Sequence, residues 1–309
     1  MNIGLIDVDN IKKVKFPNLA LMKISAYHKQ KGDNVSWYNK DDQYNIVYVS
    51  KVFSDTYSPD IEPITNAKAV IKGGTGYAIK TVNGKEIFDN NKHRNLPKII
   101  DKCFPDYSIY PTIDFAVSMT SRGCPRGCSF CHVAAKEGKC AVKVADVCDF
   151  YAGQKNIKIL DPNITALPPN DKYNLYQQYI DTKARLDFTQ GIDIRLITDT
   201  DIEYINKMRL RTLHFAWDNP HDKLESKFAN FALKFRRKSN IGMVYCLTNY
   251  NSTMKENLYR IYTLRDMGFD PYVMIYDKPN APKEIKHLQR WCNNKIIFKS
   301  CKRFEDYKQ

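Results

Sequence analysis

Three cysteines constrain this chain more than any other feature. In the segment 118–133, S-M-T-S-R-G-C-P-R-G-C-S-F-C-H-V, Cys124, Cys128 and Cys131 stand in the spacing C-x3-C-x2-C. Thiolates are soft ligands, and three on one tight loop suit zinc or iron–sulfur chemistry. Gly123, Pro125 and Gly127 surround the first two. Glycine admits close backbone approach and proline fixes one φ, so the loop can wrap a compact inorganic centre. Ligand count separates the metals. Structural zinc and a fully ligated cubane each take four protein ligands, and no fourth cysteine follows at a short C-x-x-C spacing. Three thiolates on a four-iron cluster leave one iron open to bind and reduce another molecule. Zinc remains an alternative if His132 or Cys140 supplies a fourth ligand. A ferredoxin-like electron carrier is disfavoured because the fourth thiolate is missing.

The 309 residues suffice for one large or two moderate domains. Residues 1–100 read as the first. Asn2–Val8, Asn34–Tyr38, Asn45–Val52 and Ala67–Gly73 have the β-branched or alternating character of strands. Asn18–Gln30 spaces Leu19, Leu21, Met22, Ile24 and Tyr27 as a helix does, with Gly32 beyond its end. Strands interleaved with helical or looped stretches point to a doubly wound (Rossmann-like) parallel sheet. Residues 86–112, rich in proline and polar side chains, read as a linker.

Residues 101–280 read as a second α/β domain. Its expected strands are Phe115–Met119, Ile157–Leu160, Phe188–Leu196, Thr212–Trp217, Ile241–Leu247 and Pro271–Tyr276. Its expected helices are Ala141–Tyr151, Tyr173–Leu186, Thr200–Met208, Leu224–Arg237 and Thr253–Met267. About six such β/α repeats make a partial, TIM-like (β/α)6 barrel. The cysteine loop leaves the C-terminal end of the first strand, the end at which parallel barrels bind ligands. Residues 281–309 are basic and read as a C-terminal cap, which Trp291 and Phe298 would pack across the barrel mouth.

The cysteine spacing, Phe130 before the last cysteine and the flanking T-S-R-G-C-P resemble the radical S-adenosylmethionine (SAM) superfamily, in its branch with an N-terminal cobalamin-binding-like (B12-binding-like) domain. The resemblance implies a 4Fe–4S cluster on Cys124, Cys128 and Cys131, and reductive cleavage of SAM to a 5′-deoxyadenosyl radical that abstracts hydrogen from substrate. It also implies an electron donor such as flavodoxin or ferredoxin. By the same resemblance, Asp161 and Asn163 in D-P-N take the place of the motif that accepts from the SAM amino group. The usual glycines are absent there, and D-P-N is equally a turn and helix start. Arg195, with Gln190 on the same expected strand, would meet the SAM ribose or carboxylate, or else form a rim salt bridge. Tyr276 would face adenine or substrate, and Phe130 would pack near adenine.

Departures from the family narrow the reading. The first domain is expected to be a degenerate cobalamin-binding-like unit, because its only histidines, His28 and His93, lie outside any D-x-H-x-x-G pattern. Cobalamin is therefore not expected. No cysteine precedes Cys103, which argues against a second cluster of the methylthiotransferase kind. Cys103, Cys140, Cys148, Cys246, Cys292 and Cys301 read as small buried hydrophobes.

The formal net charge of +14 leaves a nucleic-acid substrate or partner open, although the cations spread along the whole chain. The N-terminus has no basic-then-apolar pattern and no apolar run is long enough to span a bilayer. A cytoplasmic enzyme with reduced thiols and no membrane partner is expected. The competing class is a non-catalytic zinc-binding, nucleic-acid-binding protein.

Overall fold

The computed structural model describes residues 1–12, 16–82, 85–237 and 241–307. The chain divides into two compact units. The first comprises Met1–Val117, Arg126–Lys139 and Ala145–Gln154; the second comprises Ser118–Pro125, Cys140–Val144 and Lys155–Gln309. Among the described residues no helix is long and apolar enough to cross a membrane.

The first unit is built on four parallel strands in the order Asn34–Trp37, Asn2–Asp7, Tyr44–Ser50, Ala67–Gly73. Both faces of the inner strands are covered, which is why N-I-G-L-I-D reads as a nearly continuous apolar run. Ile3 and Leu5 pack with Leu21 and Ile24 of the helix Leu19–Gln30. Ile6 and Val8 pack with Tyr44, Val47 and Val49 in a separate cluster. Asn18 caps the helix, its side chain accepting from Leu21 N at 3.2 Å. All four expected strands and this helix are present. The stretch read as a linker instead sends Ile100, on the short helix Lys98–Asp101, into the first cluster, and Tyr110 is buried as well.

In the second unit, Asn156–Ile159, Arg185–Phe188 and Leu210–Thr212 form one run of parallel strands. His214–Ala216, Met243–Thr248 and Asp270–Ile275 form another. The helices Pro169–Asp181, Asp199–Lys207, Glu225–Lys234 and Met254–Asp266 provide crossovers, as parallel pairing requires. Capping boxes at Thr198/Asp201 and Thr253/Glu256 fix where two of them start. The outward strand residues are apolar: the Phe215 ring lies edge-on to Phe228, Phe231 and Phe269 at 5.1–6.0 Å.

Four further expectations need correction. The helix at Ala141–Tyr151 is absent. Val142–Lys143 pairs antiparallel with Ser121–Arg122, and Val147–Asp149 is a single 3-10 turn, in keeping with the β-branched A-V-K-V-A-D-V. The third strand is Arg185–Phe188 rather than Phe188–Leu196. Gly191 turns the chain at φ +91°, against the His214 carbonyl, and Gln190 lies in an exposed turn. The strand expected at Thr212–Trp217 is split at Leu213.

The fourth correction concerns the C-terminal segment. The helix Lys283–Asn293 joins the core, with Leu288, Trp291 and Cys292 beside Ile261, Val273 and Phe298. Asn293 clasps the edge strand: its Oδ1 accepts from Val273 N at 2.8 Å and its Nδ2 donates to Val273 O at 3.1 Å. Unpaired edge groups invite foreign strands, and this clasp covers one such pair.

The C-terminal rim of the second run is tied by one buried cation. Arg260 donates to Trp217 O at 2.5 Å, Asp218 O at 2.8 Å, Leu247 O at 2.9 Å and Asn257 Oδ1 at 2.6 Å. Arg260→Met removes the donor from two buried carbonyls and a half-buried one and is expected to cost about 3–5 kcal/mol in urea unfolding. Arg260→Lys should recover only part of this, because a point donor lacks the planar fork.

Candidate functional site

The cysteine loop departs from a strand end that is anchored by one carboxylate. Ser118 O accepts from Leu160 N at 2.8 Å, and Asp161 follows directly. Asp161 is buried; its Oδ1 accepts from Thr120 N at 2.9 Å and its Oδ2 from Thr120 Oγ1 at 2.7 Å. Tyr179 completes the anchor, with its hydroxyl 2.5 Å from Ser118 Oγ and 3.1 Å from Thr120 Oγ1. Burial pushes the Asp161 carboxyl above the usual carboxylate range, against the lowering effect of the Thr120 bonds. Both Asp161 oxygens are thus engaged in fixing the residues just ahead of Cys124.

Asn163 is buried too. Its Oδ1 accepts from Thr165 Oγ1 at 2.7 Å, and its Nδ2 donates to Cys124 Sγ at 3.5 Å. An amide hydrogen bond to a sulfur is the kind of outer contact that tunes an iron–sulfur centre. Farther along the loop, Gly127 has φ +57° and Cys131 N donates to Cys128 O at 3.0 Å. His132 starts the short helix Val133–Glu137 and stacks on Phe88 at 6.0 Å. Cys124 and Cys128 are half-buried and Cys131 is exposed. Among the described residues no three His, Cys, Asp or Glu side chains are gathered closely enough to hold a metal ion. The fit to a cluster rests on donor chemistry: three soft thiols on one glycine-bearing loop, the first already hydrogen-bonded at sulfur.

The remaining expected site residues do not form one group. Arg195 is a rim ion-pair residue, with Nε 2.6 Å from Asp193 Oδ1 and Nη1 2.8 Å from Asp222 Oδ2. Tyr276 lies in the turn after Asp270–Ile275, its ring 4.8 Å from that of Tyr250. Phe130 is half-buried.

Inward-facing residues of the second unit were missed in the sequence. Lys158 and Asp187 are in register on adjacent strands, as are Tyr245 and Tyr272. Each alternates with buried apolar neighbours, so these side chains share the face opposite the helices. His214 stacks on Tyr245 with ring centroids 5.5 Å apart and planes 6° from parallel. Its Nδ1 is 3.1 Å from Phe188 O and 3.6 Å from Asp187 Oδ1. Burial lowers the His214 pKa, although the Asp187 charge opposes the shift.

In the first unit, the C-terminal edge of the sheet is filled by the chain's own side chains. Tyr110 OH accepts from Asn18 N at 3.1 Å and donates to Asp7 Oδ2 at 2.7 Å. Asn18 Nδ2 reaches Ser50 Oγ at 2.8 Å, and Trp37 Nε1 reaches Ile109 O at 3.1 Å. A Cβ on Gly74 would stand 2.3 Å from Lys51 O. Glycine is required there for close backbone packing.

No protein-family model matches the sequence, and no curated protein matches it. The fold is one shared with radical SAM methyltransferases. TsrM from Kitasatospora setae, solved with cobalamin and a [4Fe–4S] cluster bound, aligns with a TM-score of 0.64 at 11% identity, over 89% of this chain and 74% of that chain. TsrM with tryptophan substrate and the SAM analogue aza-SAM bound gives a TM-score of 0.62 at 12% identity, over 89% and 72%. The resemblance first read from one cysteine loop therefore extends to the fold of most of the chain.

Two outcomes are expected. Asp161→Ala should free Thr120 and lower the metal content of anaerobically prepared protein, whereas Asp161→Asn, which keeps one acceptor, should retain most of it. The lowered His214 pKa means that the unfolded chain binds its proton first as pH falls below the ordinary value of 6.5. Stability should therefore drop on the acid side, and His214→Gln should flatten that part of the urea-midpoint profile.

Proposed function

We propose that this chain is a radical SAM enzyme in which Cys124, Cys128 and Cys131 hold a 4Fe–4S cluster. The arrangement proposed is a degenerate cobalamin-binding-like, Rossmann-like unit followed by a partial (β/α)6 TIM-like barrel whose core includes the C-terminal helix Lys283–Asn293. The observation that carries the reading is the C-x3-C-x2-C loop, anchored through Thr120 to Asp161 at a strand's C-terminal end, in a chain that shares its fold with radical SAM methyltransferases. When bound, the cluster and SAM would supply a 5′-deoxyadenosyl radical for hydrogen abstraction.

The chain's own residues have narrower tasks. Thr120, Asp161 and Tyr179 hold the loop's entry, and Asn163 Nδ2 donates to the first sulfur. Arg195, held by Asp193 and Asp222, retains further guanidinium donors for a SAM carboxylate or ribose. Gln190, Tyr276 and Phe130 are assigned to the SAM-binding surroundings. Lys158, Asp187, His214, Tyr245 and Tyr272 give the inward strand face polar groups for orienting a substrate, with RNA or a nucleotide as the candidate class. A flavodoxin or ferredoxin would deliver the electron, in a cytoplasmic setting that keeps the thiols reduced.

Among the described residues, the first unit does not fit cobalamin where such a sheet receives ligands. That place lies outside the carboxyl ends of the strands and beside a helix N-terminus. Here the Tyr110 hydroxyl already takes the Asn18 N–H and the Asp7 carboxylate.

Anaerobically reconstituted protein should bind about four irons per chain and release 5′-deoxyadenosine when reduced with SAM. Cys128→Ala should abolish both, and stoichiometric zinc without iron would overturn the reading. Asn163→Ala, which removes a hydrogen bond to sulfur, should lower the cluster's reduction potential as read by redox titration.

A further inference from the structure

The second unit carries a cationic cleft that the proposed chemistry does not use. It measures about 400 Å³ and lies where the helices Asp199–Lys207 and Glu225–Lys234 end. Lys207, Arg209, Arg236 and Arg237 line it, and no acidic residue does. All four are exposed, and among the described residues none of them is ion-paired. Nearby Lys234, in contrast, is paired with Asp199 at 2.6 Å.

Two of the guanidinium groups are held in place by backbone. Arg209 Nη1 donates to Lys183 O at 2.7 Å, and Arg237 Nη2 donates to Leu210 O at 3.0 Å. Each keeps further N–H groups for a ligand. Leu186 N donates to Arg209 O at 2.8 Å, which brings exposed Lys183 and Arg185 alongside.

Helix dipoles account for only part of this charge. A helix C-terminus carries about half a negative charge and favours a nearby cation. Two termini meet here, so about one of the four positive charges is offset, leaving a surplus of about three. Unpaired guanidinium forks on a concave surface match phosphate oxygens in geometry as well as in sign.

We infer that this cleft is a docking site for the phosphodiester backbone of a nucleic acid, lying at the N-terminal ends of the strands and so away from the cysteine loop's end of the unit. A footprint of about three phosphates gives a log–log salt slope of about −2 to −3, a loss of roughly 20-fold or more in affinity between about 50 and 200 mM salt. Lys207 and Arg236 are the residues to change, because neither side chain makes a hydrogen bond that holds the fold.

The test is fluorescence anisotropy of labelled bulk tRNA with the 309-residue chain. The double variant Lys207→Glu/Arg236→Glu should bind at least tenfold more weakly with a shallower salt slope. Lys227→Glu/Lys255→Glu carries the same charge change in the first turns of two helices and should bind like the unaltered protein. Equal weakening by the two double variants, no weakening by the first, or no binding by the unaltered protein would each overturn the inference. Because the assay needs neither cluster nor SAM, its outcome is independent of the proposed enzyme chemistry.

Discussion

The second unit depends on a buried carboxylate that serves a backbone rather than a ligand. Asp161 lies just past the end of one strand and takes both the N–H and the hydroxyl of Thr120, which lies just past the end of another. A buried charge is costly unless its oxygens are satisfied, so the side chain holds Thr120 firmly. Four residues later comes Cys124, whose sulfur receives the Asn163 amide. The D-P-N triplet thus fixes where the cysteine loop begins in space, through Asp161, and what its first sulfur meets, through Asn163. The side-chain acceptors of Asp161 and Asn163 are bonded within the unit, to Thr120 and Thr165.

The same economy recurs on the other rims. Arg260 closes the ends of two further strands with one planar side chain. Arg195 is held by two aspartates beside a turn. In the first unit, the Tyr110 hydroxyl occupies the N-terminus of the helix Leu19–Gln30, a place that attracts anions in other sheets of this kind. Polar groups at strand ends are therefore mostly spoken for. The inward strand face carrying Asp187 and His214 is less so, since Asp187 Oδ1 is buried without a hydrogen bond.

Much of this architecture was legible before the fold was seen. The two inner strands of the first sheet announce themselves because they are apolar along most of their length, and the two edge strands by their β-branched or alternating residues. The cysteine loop was legible because its spacing is chemical and needs no tertiary context. What stayed hidden depends on long-range partners. Nothing local in D-P-N says that Thr120, forty-one positions earlier, will fill Asp161. The misplacement of Phe188–Leu196 came from its alternating Ile192, Ile194 and Leu196, a pattern that Gly191 interrupts by turning the chain. His214 and Tyr245 each stand alone among apolar residues in H-F-A and M-V-Y-C, and period two alone does not tell an inward face from a solvent face.

The Asn293 side chain, bonded to both backbone groups of Val273, makes the helix Lys283–Asn293 a guard against misassociation. Its amide imitates a neighbouring peptide and so ends the sheet chemically as well as sterically. Shortening the protein ahead of Gln289 would bare a strand rim that is ready to recruit a second molecule. The tail is thereby tied to solubility, a duty separate from anything done at the cysteine loop.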